Sequence, residues 1–102
     1  MNERAKPADC RDLTEVRAGV DGIDAQIVAL VGERFRYMEA AARIKPDREA
    51  VRDEWRKADV LAKVAQHAAA AGVPLETAAA LYERLIEDSI AFELDRFDAI
   101  RD

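Results

Sequence analysis

Two cations stand where an apolar residue is due. The series Leu13, Val16, Val20, Ile23, Ile27 and Leu30 steps by three and four, and the next position in it is Arg34. Lys45 follows eleven residues later, three helical turns almost in register, with the apolar Met38 and Ala41 between them on the same stripe. Inward charges need partners. Arg56, in the run RDEWRK with Asp53 three residues ahead of it, adds a third cation, while Ser89 interrupts an apolar helix side and Glu93 lies one turn beyond. Arg17 is turned about 100° away from Arg34 on the same helix, so it reaches such a site only from the partner in an antiparallel pair. Each residue taken alone has a plain structural alternative. Arg34 can pair with an acid of another helix, Lys45 suits a last helical turn, and Arg56 fits a solvated charged run. Ser89 can bond back to a helix carbonyl, and Glu93 can be an exposed acid. Together, three or four cations and one acid inside a helical dimer suit a small ligand with two carboxylates, because arginine forks bind carboxylates bidentately.

The elements that position these residues follow from length, punctuation and period. A chain of 102 residues makes one small domain, and 21 of its residues are alanine, so the bulky core is thin and oligomerisation is expected. A net charge of −5 argues against a nucleic-acid partner. Cys10 is the single cysteine and His67 the single histidine, which leaves no intramolecular disulfide and no metal-ligand spacing. No metal or other cofactor is expected. The first dozen residues carry no apolar signal core and no apolar run reaches membrane length, so the expectation is a cytoplasmic protein with no membrane partner.

The fold class expected is all-α: a three-helix chain with a long first helix, as residues 12–102 of a single domain behind a flexible tail of residues 1–11. The first helix runs from about Asp12 to Lys45, opened by Asp12 with Glu15 as a capping box. At 1.5 Å per residue it is roughly 50 Å long, whereas a 100-residue globule is about 30 Å across. Its apolar overhang needs another chain, which predicts an intertwined homodimer. The second helix is expected from near Asp47, with Val51, Trp55, Ala58, Leu61, Val64 and Ala68 on one face, closed by Gly72 and Pro74. The third spans about Pro74 to Ile100, with Ala78, Tyr82, Leu85, Ser89 and Phe97 inward. Trp55 and Phe97 read as core or dimer contacts, His67 as a surface residue, Cys10 as incidental, and the terminal DRFDAIRD as a charged, fraying helix end.

The pattern LxEVRxxVDxIDxxIVxLVxERFxYxxAAxxIK, then Arg56, then LIEDSIAFE, resembles the all-helical chorismate mutases over about residues 9–97. It looks most like the short branch that includes bacterial isochorismate-pyruvate lyases. The resemblance implies an intertwined dimer with two sites, each taking Arg17 from the other subunit. It implies that Arg34 and Arg56 hold the substrate carboxylates and that Lys45 donates to the ether oxygen of the breaking bond. Asp53 falls where mutases use an acid near the ring hydroxyl, and Ser89 where a serine hydroxyl sits near a carboxylate. Two positions depart from the mutase pattern: Lys57 stands where glutamate is common, and Glu93 where glutamine donates to the ether oxygen. The implied reaction is the pericyclic conversion of chorismate to prephenate, a step towards aromatic amino acids. It needs restraint of a flexible dianion and donors at the oxygen that gains charge, but no nucleophile. The same clamp serves elimination of pyruvate from isochorismate to give salicylate. A non-catalytic helical dimer that binds a related dicarboxylate is the third reading.

Overall fold

The computed structural model describes residues 4–101, and all regular structure among them is helical. Three long helices, α1 (Leu13–Ile44), α2 (Glu54–Ala71) and α3 (Leu75–Arg101), are joined by short connections, with single 3-10 turns at Pro7–Asp9 and Arg48–Ala50. None of these helices is long and apolar enough to cross a membrane. The chain divides into two compact units, Met1–Arg34 and Phe35–Asp102, with the boundary inside α1.

In the first unit, α1 opens as the sequence predicts. Asp12 Oδ1 accepts from the Glu15 amide at 2.9 Å, and Glu15 Oε1 accepts in return from the Arg11 amide at 2.9 Å. These bonds satisfy donors that a helix start leaves orphaned. The preceding segment turns once at Pro7–Asp9, and Arg4 lies so close to Gly22 that a Cβ there would sit 3.2 Å from its Nη1. The whole apolar series from Leu13 to Leu30 is exposed in the single chain, each member between 42% and 64%. At 32 residues α1 is about 48 Å long.

In the second unit, α2 and α3 form an antiparallel hairpin. Gly72 closes α2 in the left-handed conformation at φ 73°, where its lack of a Cβ removes the steric penalty, and the Val73 amide reaches back to Ala68 O at 2.9 Å. Val64, Ala68 and Ala78 form one buried cluster near that turn, flanked by Val60 and Tyr82. A second cluster, Ala42, Val51 and Phe97 with Ile90 and Leu94, ties the end of α1 to the far end of α3. Phe35 and Phe92 meet edge-to-face at 5.0 Å. Phe97→Ala is expected to destabilise the fold by roughly 3–5 kcal/mol, read as a lower urea midpoint, because it empties the centre of that cluster.

The start of the second helix differs from the expectation. Asp47 caps only the Arg48–Ala50 turn, accepting from the Ala50 amide at 2.9 Å, and α2 begins at Glu54 with Asp53 as its cap. Val51 is buried, but in the connection and not on a helix face. Trp55, expected on the inward face, is 75% exposed. The physical reason is phase: nine residues at 100° each put Trp55 roughly 180° from Val64. Lys57, seven residues before Val64, is the one in phase, and its side chain is only 17% exposed.

Candidate active site

Lys45 is the first residue past α1, and the proline after it disfavours a helical backbone at that position. Its Nζ lies 2.7 Å from Glu93 Oε2 and donates to Val51 O at 3.3 Å. Glu93, in the C-terminal half of α3, has a side chain only 4% exposed against 28% for Lys45. Oε2 is thus a buried oxygen whose one close polar neighbour among the described residues is the Lys45 ammonium. The two residues assigned to the reacting centre are therefore brought together, and Glu93 is not the exposed acid of the plain alternative. Ser89 lies one turn before Glu93 on the same face, also buried, and its hydroxyl donates to Leu85 O at 2.6 Å.

Asp53 and Arg56 stand at the start of α2. Asp53 Oδ1 accepts from the Arg56 amide at 3.0 Å, a helix cap, which leaves its second oxygen available. The Arg56 guanidinium is held in the free chain by Asp59 at 2.7 Å, and Asp59 also takes Lys63 at 3.0 Å. Lys63 first, and Arg56 with it, keep the Asp59 carboxyl below its ordinary range. Arg17 and Arg34 belong to the first unit. Arg17 is exposed on α1, while Arg34 is half-buried and engaged.

Lys57 does not reach into open space. It bridges to α3 through Glu83 at 2.7 Å and Glu87 at 2.8 Å, and these two carboxylates raise its pKa, Glu83 the more. Arg52 grips Glu87 with two nitrogens, at 2.5 and 3.2 Å. Hydrogen bonding from Arg52, then Lys57, pulls Glu87 down to about 2 from an ordinary 4.5. Sequence periodicity missed this cluster because Arg52 lies in a connection. A depressed carboxylate stabilises the fold above its unfolded pKa and loses that contribution as pH falls. The stability gap between the native chain and Glu87→Gln is expected to be fully open above pH 4.5 and to close towards about 2. Urea midpoints across that range at low salt measure it, and the exposure of the pairs keeps the gap modest.

One further cation escaped the sequence reading. Arg101, expected to fray, instead donates from Nη1 to Ala42 O at 3.0 Å and from Nη2 to Lys45 O at 2.8 Å. No group of three or more metal-ligating side chains occurs among the described residues.

Comparison with known proteins adds two findings. The sequence profile of chorismate mutase type II matches residues 16–94. The chain is also 32% identical over 88 residues to an isochorismate pyruvate lyase of Pseudomonas aeruginosa, an alignment that covers 86% of this chain and 87% of that protein.

Proposed function

The chain belongs to the type II chorismate mutase family, and on that premise we propose that it rearranges chorismate to prephenate at a site centred on Lys45 and Glu93. The observation that carries the reading is the pair itself, an ammonium 2.7 Å from an oxygen of a buried carboxylate. A lysine has three donors. With Val51 O taking one, Lys45 can turn another to the ether oxygen as its bond to carbon breaks and charge collects there. Glu93 becomes a second donor to that oxygen when it carries a proton; ionised, it repels the developing charge. Arg34 and Arg56 hold the two carboxylates, Arg56 by leaving Asp59 for the ligand. Asp53 uses its free oxygen on the ring hydroxyl, and Ser89 serves a carboxylate by releasing Leu85 O. No nucleophile and no cofactor take part, and the reaction runs in the cytoplasm.

The exposed apolar strip from Leu13 to Leu30 supports a homodimer, since that much contiguous apolar surface needs a cover. In it Arg17 enters the partner's site. Arg17→Ala and Lys45→Met are each expected to be nearly inactive, and their co-refolded mixture to regain activity, because the heterodimer holds one intact site. A mixture as inactive as its components places Arg17 in its own chain's site, and an active Arg17→Ala places it in none.

Elimination of pyruvate from isochorismate is the second reading. The name of the Pseudomonas aeruginosa relative favours it, and so does Lys57, which leaves the position without its glutamate and is itself tied to α3. Product identification from each substrate separately decides between them: prephenate from chorismate supports the mutase, and salicylate with pyruvate from isochorismate supports the lyase.

A further inference from the structure

Pro46 leaves a buried carbonyl without its helical donor. α1 ends at Ile44, and the Lys45 amide still bonds Ala41 O at 2.9 Å. The next bond, to Ala42 O, would come from residue 46, and proline has no N–H to give. Ala42 is fully buried, 0% exposed, so water does not stand in, and an unmade bond there would carry the desolvation cost of a lone carbonyl. Arg101 supplies the donor from 59 residues away, with Nη1 3.0 Å from Ala42 O. Its other terminal nitrogen holds Lys45 O at 2.8 Å. The guanidinium lies 3.6 Å from the centroid of the Phe97 ring, and Phe97 packs against Ala42 and Val51. Val51 in turn accepts the Lys45 ammonium. The lysine is thus fixed at its backbone by Arg101 and at its tip by Val51 and Glu93.

We propose that Arg101 is a positioning residue for Lys45, setting where the ammonium stands through the carbonyls at the end of α1. The proposal rests on the reading of Lys45 as the donor to the breaking bond. Loss of the clamp frees the last turn of α1, and small misplacement of a reacting group costs rate more than affinity. A lysine at position 101 keeps a cation over Phe97 and one donor but not the fork, so it serves one carbonyl and not both.

The test compares Arg101→Ala and Arg101→Lys with Asp98→Ala, which breaks the neighbouring Arg48–Asp98 pair (3.0 Å) without touching the end of α1. All are assayed well below their melting temperatures. Arg101→Ala is expected to lower kcat roughly 10- to 100-fold with KM within about twofold. Arg101→Lys should fall between, and Asp98→Ala should stay near the native rate. A readout independent of turnover is the side-chain carbon signal of Lys45 in the ligand-free protein, which should move in Arg101→Ala and hold in Asp98→Ala. A native kcat with an unmoved Lys45 signal in folded Arg101→Ala overturns the proposal, as does an equal loss of kcat in Asp98→Ala. Should Arg101→Ala fail to fold, Arg101→Lys decides: reduced kcat with a displaced signal supports the clamp, and native values for both overturn it. If the native chain turns over neither chorismate nor isochorismate, the functional reading fails, and the Lys45 signal alone then decides whether Arg101 positions the lysine.

Discussion

Lys45→Met is expected to lower kcat for chorismate by roughly 100- to 1,000-fold, the scale set by removing one preorganised donor from a developing oxyanion. Methionine keeps length and apolar stem while deleting the charge, so packing changes little. Stability changes for another reason. Glu93 would be left with an uncompensated charge on a side chain only 4% exposed. Breaking a fully buried pair costs about 3–5 kcal/mol, and the partial exposure of Lys45 brings the expectation to about 2 kcal/mol. Combining Lys45→Met with Glu93→Gln removes both charges and should return most of that stability, read from urea unfolding. It should leave most of the lost rate unrecovered, because the glutamine amide does not replace the donor that the lysine supplied. A double variant that regains turnover along with stability would show the lysine to be structural.

Glu93→Gln should change the shape of the pH profile more than its height. A glutamine amide donates to the ether oxygen at every pH, whereas the native carboxyl donates only while protonated. The Gln variant is therefore expected to lose whatever dependence on pH the native chain shows in turnover from about pH 5 to 8. Lys45 faces the carboxyl at 2.7 Å and Ser89 shares its face one turn away, so both remain in place in the variant as internal controls. A native profile that Glu93→Gln leaves unchanged removes Glu93 from the chemistry and makes it a tether for Lys45 alone.

The helices were legible in the sequence because their punctuation is local. Asp12 with Glu15, the proline at 46, Gly72 and Pro74 each act within a few residues of their own position, and the observed bounds fall within one residue of the expected ends of α1 and α3. The start of α2 was less legible because two aspartates compete. Asp47 and Asp53 each cap an amide three residues on, Asp47 for the short turn and Asp53 for α2 itself. Trp55 was drawn to the inward face by the three- and four-residue steps of its series, whose successive steps of three drift out of phase with Val64. In the site, the meeting of Lys45 with Glu93 followed from the family pattern, while period alone put Ser89 and Phe97 inward. Arg101, Arg52 and the two acids that hold Lys57 carry no periodic signal; their roles exist only once α3 lies against the other helices. For Arg101 a cue was present all the same, since a proline four residues past a buried alanine always leaves a carbonyl in need of a donor.

The most direct test of the central claim follows chorismate consumption by the purified native chain from about pH 5 to 8, with Lys45→Met alongside. Loss of chorismate matched by prephenate is the expected result, with near-background rates for the variant. Chorismate that raises the melting temperature of the native chain yet remains unconsumed at every pH would contradict it, and would leave a helical protein that binds a dicarboxylate without transforming it.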